Sequence, residues 1–422
     1  MKTAARNYLI FLWRCARIAF VGDWRYYAWM GVLTLFCMLG LNAYAKQFAQ
    51  GLVVTGMSDQ VSWGVYIANF TFLVGVAAAA VMMVIPVYIY DNEELHDLVI
   101  FGELLAVAAI IMCLSFVTVD LGRPDRFWHL IPGLGQLNFP ASMLSWDVIV
   151  LNGYLLLNVH ICGYLLYCRY QNKKPARWFY IPFVFTAIFW AISIHTVTAF
   201  LYVGLGGRPF WNTAIVGPRF LASAFTAGPA LIILALQVIR RVTHYTITDK
   251  ALLTLRSIVQ VSMLINVFLL ACEVFTEFYS GGLHIASSRY LFLGLHGYHA
   301  LVPWIWTAIT FNLTAMVLLV LPLSRSLKWL NLTCVLCITG IWIEKGMGLV
   351  IPGFIPTPLG EMAEYTPSLN ETLVCFGIWA FGLLCYTIFL RMSVPILQGG
   401  ISKANEKEAL VNTIFAVTEA PK

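Results

Sequence analysis

The chain has 422 residues, of which 60% are hydrophobic and 11% charged, and its net charge is +6. Soluble domains are about 45–50% apolar and about 25% charged. The composition therefore excludes a soluble enzyme, a disordered chain and a nucleic-acid binder, and predicts an all-α integral membrane protein.

Residues 1–25 carry Lys2, Arg6, Arg14, Arg17 and Arg25, and the apolar run among them is too short for a cleavable signal. They read as an amphipathic helix on the cytoplasmic surface of the membrane. A spanning helix needs about 20 mostly apolar residues. Ten runs qualify, at residues 26–46, 64–90, 98–118, 144–168, 178–203, 219–239, 252–279, 296–322, 328–350 and 371–394. With the N-terminus inside, the inner segments hold 19 Lys and Arg and the outer ones 7. That bias predicts both termini in the cytoplasm, with residues 396–422 as a cytoplasmic tail. The acidic inner loop at 91–97 dissents, but acidic residues count little in this rule. The ten cysteines lie almost all within apolar runs and read as packing residues, the Cys334-x-x-Cys337 pair included.

The outer loops are short. Residues 120–142 read DLGRPDRFWHLIPGLGQLNFPAS and residues 204–219 read GLGGRPFWNTAIVGPR. Paired Arg-Pro turns followed by aromatics suit a docking surface; the plainer reading is an interfacial aromatic belt. No loop is large enough to house a cofactor domain.

An ionisable residue at membrane depth costs roughly 2.5 kcal/mol or more, so each one is a functional hypothesis. Asp120 ends span 3 and Asp147 lies one turn into span 4, both on the outer side. His195 and Tyr202 lie in the outer half of span 5, Asn69 lies in that of span 2, and His129 lies in the loop above. Two carboxylates, an imidazole, a phenol and an amide at one depth suit a quinone. Its carbonyl oxygens need donors, and oxidation of the quinol needs bases for two protons. The plainer alternative is a set of unrelated helix caps. Glu103, near the inner end of span 3, reads as an inner proton half-channel or as a carboxylate snorkelling to the interface. Spans 7–9 carry Arg256, Glu273, Glu277, His296, His299, Glu344 and Lys345. Glu273 and Glu277 share a helix face, and so would His296 and His299. An ion-pair network explains most of this set; a proton path through Glu273, Glu277 and His299 is the sharper reading. A haem needs two ligands at one depth, and His160 and His195 differ by roughly 12 Å along their helices. No metal site is expected in this chain.

Four stretches resemble the NrfD/PsrC polysulfide-reductase-type membrane subunits: WGVYIANFTFLVGVAAAA (63–80), VTVDLGRPDRFWHL (117–130), SMLSWDVIVLNGY (142–154) and YVGLGGRPFWNTAIVGPRFLASA (202–224). The resemblance covers residues 60–350. The extra first and last spans match the ten-helix branch, with the DsrP, Hmc and Qrc membrane subunits and the alternative complex III anchors. It implies one four-helix bundle at 63–205 with the quinone site and a second at 206–350. These would be flanked by a first helix and loop at 26–62 and a loop and last helix at 351–395. It implies menaquinone as the quinone and the cytoplasmic membrane of a bacterium or archaeon. It further implies an outer-face partner with four-iron–four-sulfur clusters of ferredoxin type, and beyond it a multihaem cytochrome c or another redox subunit, in sulfur or sulfate metabolism. Tyr202 falls where the family places a quinone-contacting tyrosine, and Asn69 near a family asparagine. Span 2 has no histidine, which leaves that role to His129 or His195.

The expected function is thus a quinone-interacting subunit of a respiratory complex. Asp120, Asp147 and His195 would move protons, while Asn69, His129 and Tyr202 position the headgroup. Two other classes fit a ten-helix protein: a secondary transporter and an anchor without a quinone site. Against a transporter, no matching pair of Gly/Pro-broken helices stands out at mid-membrane.

Overall fold

The computed structural model describes residues 2–282 and 285–402. Among the described residues, ten helices are long and apolar enough to cross a membrane, and there is no β-strand. Spans 1 to 5 are Trp24–Gln50, Val65–Tyr88, Val99–Asp120, Met143–Tyr170 and Arg177–Val203. Spans 6 to 10 are Val216–Thr243, Asp249–Ser280, Val302–Val320, Leu327–Phe354 and Leu369–Leu397. Each end lies within four residues of its expected place except the start of span 8. An even number of crossings puts both ends of the ten-span array on one side, the termini face. The connections at 51–64, 121–142, 204–215 and 355–368 form the opposite loop face.

Local chemistry sets the helix ends. Asp23 caps span 1, accepting from the Tyr26 amide at 3.0 Å, and Thr248 caps span 7 in the same way. Ser368 and Glu371 form a reciprocal capping box at span 10. Span 8 starts late because Gly294, His296 and Gly297 all have positive φ and close a tight turn before Pro303. His296 and His299 therefore sit in that turn and share no helix face. This corrects the expectation from their spacing.

A helix over Lys2–Ala19 precedes span 1. Its Phe11 and Cys15 are buried, and Phe11 packs on the rings of Tyr167 and Tyr170, while Leu9 and Trp13 stay exposed. Of the expected tail, residues 403–422 lie outside the described residues.

Span 2 packs on span 3, span 3 on span 4, span 4 on span 5, and span 5 returns to span 2. Spans 6 to 9 close a second ring in the same order. Span 2 faces spans 6 and 9 across the gap between the rings, while spans 1 and 10 pair and rest on span 3. Small residues permit these approaches, because helices without a hydrophobic driving force associate by close packing. Gly228 of span 6 lies directly against Ala79 of span 2, and Gly40 of span 1 against Gly377 of span 10. Gly31, by contrast, faces open space.

Overpacking a filled contact costs about 1–3 kcal/mol. Gly228→Val should therefore lower the thermal unfolding temperature of the detergent-purified protein, and Gly31→Val should leave it unchanged. Equal behaviour of the two variants would show that the span 2–span 6 contact is not tight.

Candidate functional site

His195, Thr198 and Tyr202 recur at helical spacing on one face of span 5, a row about 10 Å long. All three are buried. Thr198 Oγ1 lies 2.8 Å from the Ile194 carbonyl and 3.1 Å from Asp147 Oδ1, its one proton shared between the two acceptors, and Asp147 is itself 2% exposed. Thr71 of span 2 donates to the Ile67 carbonyl at 2.8 Å, so at the 2.5 Å contact between the two hydroxyls Tyr202 is the donor. His195 Nδ1 lies 3.0 Å from the Ala191 carbonyl. That contact assigns the proton to Nδ1 and leaves Nε2 as an acceptor; Nε2 is buried and has no partner among the described residues. Asp120 is half-buried at the end of span 3, with Oδ1 buried and likewise without a partner. Asp120 and Tyr202 lie at the loop-face ends of their spans. The structure thus joins Asp147 to the row of His195 and Tyr202 through Thr198, with Asp120 on the same loop-face side at the end of span 3.

The other expected residues lie elsewhere. Asn69 is two residues from Thr71 and so on another face of span 2. Its Oδ1 accepts from the indoles of Trp342 at 3.1 Å and Trp379 at 2.9 Å, and its Nδ2 donates to the Val65 carbonyl. His129 is exposed in the 121–142 connection and stacks on Trp128. Glu103 is buried near the termini face, where Cys162 donates to it. His299 is exposed, with Nδ1 2.9 Å from the Gly297 carbonyl. His160 lies against the rings of Phe179 and Phe183.

A second polar network fills the loop-face half of spans 6–9. Arg219, counted with the loops in sequence, lies in the first turn of span 6 and points inward. It pairs with Glu273 and, at 2.6 Å, with Glu344. Asn312 also donates to Glu344, at 2.6 Å, and Ser288 donates to Glu277 at 3.1 Å. Residues 342–347 of span 9 form a π-helical turn, a distortion frequent at functional sites. The turn sends adjacent side chains to different neighbours. Glu344 faces Arg219, whereas Lys345 donates to the Phe220 carbonyl at 3.3 Å and lies 4.3 Å over the Phe220 ring. Two small cavities, each with room for about one water, adjoin at Arg219, Glu344 and Leu349.

Sequence reasoning misses several of these partners. Thr71 and Thr198 carry a signal, since Thr198 shares a helical face with His195 and Tyr202. Arg219 carries little, because it is the first residue of the expected run, where a charge reads as a loop-side flank, whereas the helix itself begins three residues earlier. Glu371, fully buried, accepts from the Tyr365 hydroxyl at 2.8 Å and the Gly56 amide at 2.6 Å. Its Ser-x-x-Glu cap is readable. Burial, and after it the Glu371 carboxylate, raise the Tyr365 phenol above its ordinary pKa, so it stays a donor.

The 204–215 connection folds inward. Trp211 is fully buried among Trp63, Tyr202 and Phe354, and its indole donates to the Leu349 carbonyl at 2.9 Å. The 121–142 connection instead exposes Phe127, Trp128, Leu134 and Phe139. An apolar groove of about 480 Å³ runs between spans 1, 3 and 10, lined by Gly40, Tyr44, Leu114, Val119, Ile378 and Phe381 among others. Val119 immediately precedes Asp120.

Residues 53–356 match the family model described as polysulphide reductase, NrfD. The chain belongs to this family. It is therefore a multi-pass integral membrane protein. The Hdr-like menaquinol oxidoreductase integral membrane subunit of Archaeoglobus fulgidus is 23% identical over 400 residues, covering 91% of this chain and 97% of that one. A putative dimethyl sulfoxide reductase membrane subunit of Halobacterium salinarum is 26% identical over 405 residues, with 86% and 90% covered. A polysulfide reductase chain of Wolinella succinogenes is 29% identical over 187 residues, with 40% and 56% covered.

Breaking a buried ion pair by removing one partner costs about 3–5 kcal/mol. Arg219→Met, which strands Glu273 and weakens the hold on Glu344, should lower the unfolding temperature sharply or abolish accumulation; a wild-type melting curve would show the pairs to be dispensable. Asn69→Ala strips the acceptor from two indoles, at about 1–3 kcal/mol for each group left unpaired. It should reduce thermal stability while leaving the affinity for a quinone analogue unchanged, and weakened binding instead would return Asn69 to the headgroup site.

Proposed function

We propose that this protein is the quinone-interacting membrane subunit of a respiratory redox complex. It exchanges electrons between menaquinone and an iron–sulfur subunit docked on the loop face. The observation that carries the reading is the buried His195 Nε2, without a partner among the described residues, on the same helix face as Tyr202 and as the Thr198 that meets Asp147; Asp120 Oδ1, likewise open, ends span 3 on the same loop-face side. Buried polar atoms are normally satisfied, and exceptions concentrate where a ligand or water binds.

The row fits a quinone headgroup. Bound there, menaquinol supplies two electrons and two protons. The residues of this chain receive the protons. His195 Nε2, fixed as an acceptor by the Nδ1 contact, takes a hydroxyl proton, and Asp147 or Asp120 takes the other. The Tyr202 hydroxyl holds the oxygen end of the ligand in register. The groove beside Val119 suits an isoprenoid tail, because its lining is almost wholly apolar. The names of the Archaeoglobus and Wolinella relatives support the same class of reaction.

The loop face carries the partner in this reading. Exposed Phe127, Trp128, Leu134 and Phe139 give the apolar centre of a docking patch, with Arg123 and Arg126 beside them. A ferredoxin-like four-iron–four-sulfur subunit sits there, with a multihaem cytochrome c or a further redox subunit beyond it, in sulfur or sulfate metabolism. With Arg219 and Lys345 buried inside the protein, the positive charge of the outer segments falls further. That supports a cytoplasmic termini face in a prokaryotic inner membrane. Spans 2–5 form the quinone-side bundle and spans 6–9 a second bundle whose Glu273 and Glu277 serve proton movement.

General acid–base groups contribute about 10²–10⁴-fold to turnover. Asp147→Asn, nearly isosteric, should cut quinol-dependent turnover of the purified complex by about a hundredfold or more while the complex still assembles. Wild-type turnover would remove Asp147 from the site.

A further inference from the structure

Lys345 is a buried amine that no role so far has used. It is 5% exposed, in the π-helical turn of span 9, and among the described residues it forms no ion pair. Its ammonium has one hydrogen-bond acceptor, the Phe220 carbonyl, and a ring face below. A buried ammonium normally has paired charge and several acceptors. Its position is more telling. The side chain runs into the gap between the two helix rings, over Gly75 of span 2, where an added methyl would stand 3.4 Å from Nζ. Gly75 lies one helical turn from Thr71, which meets Tyr202, and it also touches Ala224, the neighbour of Phe225, whose ring centroid is 6.4 Å from that of His195; on the other side Lys345 shares a cavity lining with Glu344 and Arg219. A cavity with room for about one water is lined by Lys345, Glu344, Arg219 and Ser223.

We propose that Lys345 is a proton carrier joining the Asp147–His195 row to the Glu344–Arg219–Glu273 network. This rests on the quinone reading above. Each hop breaks one N–H bond and forms one N–H or O–H bond, and no electron moves with it. The protonated His195 ring passes its Nε2 proton to the neutral Lys345 amine. The ammonium then passes a proton to the Glu344 carboxylate, directly or through the water-sized cavity. Lysine suits the task because it gives up its proton when buried, whereas arginine does not. Arg219 and Glu344 line the cavity at Lys345, while His195 of span 5 and Cys113 of span 3 belong to the ring on its other side, so a proton has somewhere to come from and somewhere to go.

The difference between lysine and arginine supplies the test. The native complex would be purified carrying Lys345→Met or Lys345→Arg, and both the affinity for a soluble menaquinol analogue and its oxidation would be measured. The carrier predicts analogue binding within about twofold of wild type and turnover at least tenfold lower in both variants. Wild-type turnover in either variant overturns it; a fully active Lys345→Arg would mean that the positive charge alone is needed. Should the Lys345 variants fail to assemble, Glu344→Gln tests the same hop at the acceptor, with the same tenfold loss expected and wild-type turnover overturning the proposal. If the wild-type complex neither binds nor oxidises the analogue, the quinone reading itself fails. Binding and oxidation by wild type together with unimpaired variants defeat the carrier alone.

Discussion

Spans 2 and 6 meet where Gly228 lies against Ala79, with no space for another methyl. Much of the interior follows from that contact. It brings the two helix rings close enough for Lys345 of span 9 to touch both Phe220 of span 6 and the Gly75 position of span 2. It also makes span 2 a helix buried on all sides, which is why its sequence shows no polar stripe. In a bilayer, where the apolar effect does not distinguish a helix from a lipid tail, such small-residue packing is what holds helices at a defined distance.

Within that frame the polar side chains divide by how completely they are satisfied. Arg219, Glu273, Glu344 and Asn312 bind one another. Asn69 is consumed by two indoles and a carbonyl, and Glu371 by a phenol and backbone amides. Apart from Asn312 Oδ1, which has no partner among the described residues, these groups satisfy one another, as a dry interior demands. Among the described residues His195 and Asp120 each keep one buried atom open, as do His160, Asn266 and Asn370 elsewhere in the bundle. What sets the candidate site apart is that the open His195 atom belongs to the helix face of Thr198 and Tyr202, where Thr198 meets the Asp147 carboxylate.

The two Arg-Pro connections look alike in sequence and do different work. The 204–215 segment turns inward, and Trp211 closes the loop-face end over Tyr202. The 121–142 segment keeps its aromatics outside. One is a lid for the buried row and the other is free to meet a partner. A quinone-linked subunit needs both, because protons and electrons must leave the same headgroup by different routes.

Ten spans, their order and a membrane location followed from the sequence alone, because about 20 consecutive apolar residues have no other stable environment. The depth of Asp120, Asp147, His195 and Tyr202 was legible too, since rise per residue converts position into depth. Rotation about each helix axis was not, because an apolar surface all round gives no facing signal. Asn69 and Thr71 share a depth, and only packing shows that Thr71 meets Tyr202 while Asn69 meets Trp342 and Trp379. Helix starts mattered equally: span 6 begins three residues before its apolar run, which hid Arg219, and a glycine turn moved His299 out of span 8. The π-helical turn that separates Glu344 from Lys345 has no pattern in one dimension, because it is set by how span 9 packs against spans 2 and 8. Composition and periodicity thus determined which segments enter the membrane. Which side chains meet inside it was decided by tertiary packing, where close helix contacts and the need to satisfy every buried polar group select one rotation for each span.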